Sequence, residues 1–141
     1  MVTVNVVASA DAKLPAYAHA GDAGLDLYAA EECVLQPGET KAIPTGIKME
    51  IPDGHVGLVW DRSGLALNSK LHTFAGVIDS GYRGELKIVI TNFGKEAFTV
   101  PKHSKIAQLL IQPIAHVDIK QVQELSDTSR AHGGFGSTGL H

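Results

Sequence analysis

The sequence predicts an antiparallel all-β domain, jelly-roll-like, with at most one short helix and a flexible Gly-rich C-terminal tail. Its apolar residues alternate with polar ones in short runs, Pro/Gly turns recur about every ten residues, and windows with helical periodicity are scarce. Short strands at that spacing build sandwiches and barrels.

The elements follow in order. Val2, Val4 and Val6 alternate and read as a first strand. Leu25 and Leu27 follow a turn at Gly21 to Gly24, and Val34 and Leu35 run into the turn Gln36-Pro37-Gly38. Ile47, Met49 and Ile51 share one face against Lys48 and Glu50 on the other, ending at Pro52-Asp53-Gly54. The apolar Val56 to Trp60 comes next, then the one helix-like window, Ser63 to Ser69, with Ser63 as its expected N-cap. Gly76 to Glu85 reads as a β-hairpin, with Leu86, Ile88 and Ile90 alternating after it. Asn92 to Gly94 turns the chain, Phe98 and Val100 resume a strand, and Ile106 to Ile111 is apolar enough to be covered on both faces. Val117 and Ile119 close the series. The expected organisation is one β domain over residues 1–126 and a mobile tail over 127–141.

Composition bounds the function. The 141 residues suit one domain with a real core. At 44% hydrophobic, 19% charged and a net charge of -3, the chain lacks the basic surplus of a nucleic-acid binder, so any phosphate it meets belongs to a small molecule. Cys33 is the only cysteine, which rules out an intramolecular disulfide and a Cys-rich zinc site and points to a reducing compartment, read here as cytoplasmic. No charged-then-apolar leader precedes Val7, and no apolar run approaches the about 20 residues that span a bilayer. Neither export nor a membrane partner is expected.

The tail carries the most unusual chemistry. Arg130, Phe135, Ser137 and Thr138 sit among Gly133, Gly134, Gly136 and Gly139. Gly-rich turns expose backbone N–H groups that form anion nests, hydroxyls add donors, and a guanidinium forks onto phosphate oxygens. An aromatic ring in such a segment suits stacking on a base, which makes a nucleotide the ligand and the tail its lid. A disordered Gly/Ser terminus has the same composition.

Other candidates lie in loops. Asp79 stands in Gly76 to Glu85 beside Tyr82, either as a functional acid or as an ordinary turn aspartate. Asp22 and Asp26 offer hard oxygens for a hydrated Mg²⁺ beside a phosphate chain, or are a turn residue and a solvated strand residue. Arg62, Ser63 and Gly64 open the short helix, where phosphate or a plain cap would serve equally. Gln108 interrupts an apolar strand, and its amide needs an internal hydrogen bond or a ligand.

Taken together and in order, five segments resemble the trimeric dUTP pyrophosphatase (dUTPase) family: Asp22-Ala23-Gly24-Leu25-Asp26-Leu27, Arg62-Ser63-Gly64-Leu65-Ala66, Gly76 to Glu85, Lys105-Ile106-Ala107-Gln108-Leu109, and Arg130 with Gly133 to Gly139. They cover nearly the whole chain from residue 22, and the third and fifth are highly specific. The resemblance implies a jelly roll that trimerises, with each active site shared by all three subunits. It implies hydrolysis of dUTP to dUMP and pyrophosphate, which keeps uracil out of DNA and supplies dUMP for thymidylate synthesis. By the same resemblance Asp79 is the base for the attacking water, and Tyr82 packs against the deoxyribose. The backbone of Gly76, Val77 and Ile78 reads uracil, with Lys87 among the substrate-binding residues. Arg62, Ser63, Gly64 and Gln108 hold phosphates, and Asp26 holds Mg²⁺ through water. Arg130, Ser137 and Thr138 grip the γ-phosphate while Phe135, with Gly136, covers the base.

Some positions depart from the family pattern. Asp61 stands where proline is common, so its carboxylate is expected either to compete with phosphate for Arg62 or to orient it. Gly81, Ala131 and His103-Ser104 also differ, and His132 reads as a solvent-facing tail residue. Three rivals remain. A dCTP deaminase of similar fold uses a glutamate near the position of Asp79, a zinc deaminase needs two cysteines, and a non-catalytic nucleotide-binding module would bind without turnover.

Overall fold

Ten strands and one helix form in the computed structural model, which describes residues 1–141. Alternation builds the long strands. In β4 (Thr40–Glu50) Ile43, Thr45, Ile47 and Met49 are buried while Lys48 and Glu50 are exposed, and β8 (Glu85–Asn92) buries Leu86, Ile88 and Ile90. These two strands pair antiparallel at the centre of a sheet ordered β1-β4-β8-β6, with β1 (Asn5–Ala8) and β6 (Leu71–Phe74) at its edges. The facing sheet is ordered β2-β10-β5-β7, from β2 (Leu25–Tyr28), β10 (Lys105–Pro113), β5 (His55–Trp60) and β7 (Val77–Ile78). A third pair joins β3 (Cys33–Leu35) to β9 (Phe98–Val100).

Both sheets and the small pair contribute to one core, which includes Leu27, Leu35, Ile43, Ile88, Val100 and Leu109. Burying each such side chain contributes about 1.5–3 kcal/mol. Two buried polar residues are fully used. Thr45 donates to Leu86 O (2.7 Å), and Asn92 donates to Leu35 O (3.0 Å) and Glu96 O (2.8 Å) while accepting from Gly94 N. Asn92 thereby closes the turn expected at Asn92 to Gly94.

The all-β, jelly-roll-like expectation holds, with several corrections. The helix α1 spans Ser63–Ser69 as read, but Arg62 occupies the N-cap position (φ −88, ψ 129) and no side chain caps it. The first strand begins at Asn5, with all of β1 exposed, because as an edge strand its one neighbour is β4. Val117 and Ile119 form no strand and are exposed, having no neighbour to pair with in a single chain. Gly76 to Glu85 is not a hairpin. Its arms lie in different sheets, β7 pairing with β5 and β8 with β4 and β6, so the segment is a corner between sheets. The sequence reading missed β6 and the first half of β4, where Pro44 and Gly46 interrupt the pattern; the β4–β8 register shifts between Pro44 and Lys48. No helix is long and apolar enough to cross a membrane.

Candidate active site

Three neighbouring strands line up the first group of site residues. Gln108 in β10 sits opposite Asp26 of β2 on one side and Trp60 of β5 on the other, so Arg62, just beyond β5, reaches the same end of the sheet. A cavity of about 420 Å³ opens there, lined by Asp22, Gly24, Asp26, Arg62, Ser63 and Gln108 among others. The Asp26 side chain is only 9% exposed and is flanked by two cations: Arg62 Nε lies 3.3 Å from Oδ1, and Lys105 Nζ 2.7 Å from Oδ2. The Lys105 approach is ionic and falls outside hydrogen-bond geometry, leaving Oδ2 a buried oxygen with no hydrogen-bond donor.

Asp26 lines the cavity and so brings a carboxylate within reach of a coordinated water. Nowhere does the chain gather three or more His, Cys, Asp or Glu as a metal cage. Two carboxylates, Asp22 and Asp26, at a cavity of about 420 Å³ suit a hydrated hard cation held mainly by phosphate oxygens.

Asp61 corrects the expectation for its carboxylate. It neither competes for Arg62 nor touches it, because Asp26 is the carboxylate that meets that guanidinium. The Asp61 side chain turns instead to β6, with Oδ2 2.5 Å from His72 Nδ1 and Oδ1 accepting from Thr73 N at 2.6 Å. Burial alone would raise its pKa, but these donors more than offset that and hold the carboxyl below the usual aspartate value. Its main-chain oxygen accepts the Gln108 Nε2 donor (2.7 Å), an internal hydrogen bond for that half-buried amide. On its other side Gln108 lies against Gly24, where a Cβ would stand 2.3 Å from Oε1.

The second group occupies the sheet-to-sheet corner. Val77, Ile78, Asp79, Tyr82 and Lys87 line a separate cavity of about 210 Å³. Gly76 lets the corner form, with a φ of 92° and a position where a Cβ would come 2.8 Å from Val59 O. Tyr82 donates its hydroxyl to Glu85 O (2.9 Å) with its ring folded over Gly84. Arg83 bonds Ser80 O (2.6 Å) and Glu50 (3.0 Å), tying the corner to β4. Asp79 is exposed and makes no ion pair or side-chain hydrogen bond, so its carboxylate is free.

The two groups do not meet within one chain. No residue lines both cavities. Ile78 pairs with Gly57, so the next register step sets Asp79 beside Val56, six residues along the strand from Arg62. At about 3.4 Å per residue that separation is about 20 Å. The tail joins neither group. Its hydrogen bonds are internal, including Arg130 Nε to Gly133 O (2.7 Å), Ser137 N to Gly134 O (3.0 Å) and Gly139 N to Gly136 O (2.9 Å), and Phe135 is fully exposed. His132 faces solvent as read. The sequence assigns no role to Lys105 and no partner in β6 to Asp61; the registers that set Lys105 beside β2 and Asp61 against His72 and Thr73 are tertiary facts.

Known proteins resemble this chain in sequence and fold. The dUTPase family model matches residues 10–139. A deoxyuridine 5'-triphosphate nucleotidohydrolase of Clostridioides difficile is 54% identical over 132 residues, covering 92% of each chain. One from Alkaliphilus metalliredigens is 53% identical over 131 residues, 92% of this chain and 91% of its own. Among solved structures, a mutant Staphylococcus bacteriophage 80alpha dUTPase with dUpNHpp matches at a TM-score of 0.92 and 34% identity, over 98% of this chain and 99% of that one. A mutant dUTPase from phage phi11 of S. aureus, described for its coordination of a structural Mg(II) ion, matches at 0.81 and 34% identity over 86% of this chain and 97% of that one. With the family's segments lining the two cavities and its model spanning all but the chain ends, this chain belongs to the dUTPase family.

Proposed function

We propose that the chain hydrolyses dUTP to dUMP and pyrophosphate at a site assembled from three copies of itself. The observation that carries the shared site is the separation of Asp79 from Arg62 and Gln108. A general base must lie within one water of the proton it removes, and a phosphate grip must touch oxygens of the same substrate, so about 20 Å to Arg62 and, four register steps away, about 14 Å to Gln108 are too far for one chain. Bringing the corner of one copy to the phosphate cavity of another removes the discrepancy. The tail, which forms no contact with either cavity in its own chain, supplies a third part as a lid. The body over residues 1–126 would then act as the rigid scaffold and 127–141 as that lid.

In this reading the free Asp79 carboxylate takes a proton from water as its oxygen attacks the α-phosphorus. The bond from that phosphorus to the bridging oxygen breaks, and pyrophosphate leaves with the electron pair. Arg62, the Ser63 hydroxyl, Gly64 and the Gln108 amide hold phosphate oxygens through charge-assisted hydrogen bonds. Tyr82, its ring fixed by the Glu85 bond, walls the sugar against a 2′-hydroxyl, while Gly76, Val77 and Ile78 present backbone to uracil and Lys87 borders the pocket. Arg130, Ser137 and Thr138 meet the γ-phosphate, with Phe135 and Gly136 over the base. Asp26 would hold Mg²⁺ through water, and the ion would supply neutralisation of charge on the leaving pyrophosphate. The lone free thiol of Cys33 suits a reducing compartment such as the cytoplasm.

Pyrophosphate release from dUTP, dCTP, dTTP and UTP with Mg²⁺ tests the reading. Release from dUTP alone supports it; deoxycytidine turnover or binding without release overturns it. Sedimentation at catalytic concentration should show a trimer, and mixing inactive Asp79→Asn with inactive Arg62→Ala should restore activity in mixed assemblies. Failure of that complementation overturns the shared site.

A further inference from the structure

Asp61 occupies a junction. Its carboxylate is fixed to β6 in one sheet by His72 Nδ1 (2.5 Å) and Thr73 N (2.6 Å), while its carbonyl, in the chain that continues β5 of the other sheet, holds Gln108 Nε2 at 2.7 Å. The next residue is Arg62, whose backbone is the uncapped N-cap of α1 and whose guanidinium meets Asp26. No side chain caps this helix, so the cap itself does not hold the start of α1 in place. His72 is in turn held edge-on to Phe74, with ring centroids 5.2 Å apart and Phe93 alongside at 6.3 Å. Gly24 lies against the Oε1 side of the Gln108 amide, and Nε2, which gives one hydrogen to Asp61 O, keeps a second N–H for another acceptor.

We propose that Asp61 is a positioning residue for the triphosphate: anchored by His72 and Thr73, it aims the Gln108 amide and the Arg62 backbone at the phosphate chain. It touches no substrate itself. A side chain bonded to one sheet thus sets the orientation of two grips on the other, and the effect of losing it should be confined to phosphates beyond the nucleoside monophosphate. The proposal rests on the reading of Arg62 and Gln108 as phosphate grips.

The test measures binding of dUpNHpp and of dUMP to the full chain, with steady-state kinetics on dUTP. Asp61→Ala is expected to weaken dUpNHpp about tenfold and raise KM for dUTP similarly, with dUMP affinity changed less than twofold and kcat less than threefold. Asp61→Asn, which keeps an acceptor for Thr73, should recover most of the loss. In a Gln108→Ala background Asp61→Ala should add less than threefold, because the two act through one contact. Should Asp61→Ala fail to fold, His72→Ala removes one anchor from the surface and is expected to weaken dUpNHpp about threefold without affecting dUMP.

Equal weakening of dUMP and dUpNHpp overturns the proposal, as does full dUpNHpp affinity in Asp61→Ala or, where that variant does not fold, in His72→Ala. A fresh tenfold loss in the Gln108→Ala background also overturns it. If Gln108→Ala itself binds dUpNHpp at full strength, the phosphate-grip reading fails and takes the proposal with it. Weakened Gln108→Ala beside an unaffected Asp61→Ala fails the proposal alone.

Discussion

The phosphate cavity and the tail are both rich in groups suited to phosphate, yet they are built in opposite ways. In the cavity Asp26, Arg62 and Gln108 hang from strands or just beyond their ends, and the partners come from other elements: Asp26 from Arg62 and Lys105, Gln108 from Asp61, Asp61 from β6. In the tail, Arg130, Ser137 and Gly139 bond within a few residues of themselves. The cavity's contacts are set by the fold of the body. If the tail acts as the proposed lid, it must be held by a ligand, and fixing backbone costs about 1–2 kcal/mol per residue, which binding energy would offset only when substrate is present. In the proposed function a preformed grip would set where the phosphates lie, and a lid ordered late would make closure depend on having the right ligand.

The sharpest break between the rigid and mobile parts is a change of chemistry without a change of structure. Asp79→Asn should lower kcat by about a thousandfold, the scale of a lost general base, while dUpNHpp binding and thermal stability stay near the unmodified values. Loss of binding in parallel would show that the corner positions substrate rather than activating water.

Removing residues 127–141 should cost about a hundredfold in kcat/KM and leave the melting temperature within about 2 °C, because the hydrogen bonds removed are the tail's own. A large fall in melting temperature would mean that the tail packs on another copy at rest, erasing the contrast with the cavity.

Gly24→Ala probes the cavity from its other side. The new methyl would meet Gln108 Oε1 at 2.3 Å and displace the amide, so KM for dUTP should rise about tenfold with unaltered kcat. An unchanged KM would show that Gln108 has room to give.

The smallest effect concerns acid. Asp61 has its pKa held below the usual 3.8 in the fold, so its carboxylate contributes stability that is present above about pH 4 and is lost as pH falls through the lower folded value. Chemical unfolding of the unmodified chain and Asp61→Asn should therefore differ at pH 7 and converge as pH falls below 3.8. A constant gap would mean that the His72 and Thr73 bonds do not depend on the charge.

Local pattern was enough for the strands with clean alternation. Ile47, Met49 and Ile51, and Leu86, Ile88 and Ile90, are buried as read, and the turn at Asn92 closes as read. Pattern failed where partners decide: Leu71 to Phe74, without strict alternation, forms a strand against β8, and Val117 and Ile119, which do alternate, have no partner in the chain.

The composition, the single cysteine, the short helix and the five ordered segments belong to the sequence by itself, since each depends on residue type and near spacing. Those segments carry the family and most of the proposed site: Asp26, Arg62, Asp79, Gln108 and Arg130 were all nameable before any fold. Only the tertiary structure decided that Gly76 to Glu85 crosses between sheets, that Asp61 turns to His72 while Asp26 takes Arg62, and that Asp79 and the Arg62–Gln108 group of one chain stand apart. The reason is physical. Which carboxylate a guanidinium meets, and how far a loop lies from a strand end, depend on register between residues distant in the chain, and no local preference encodes that register.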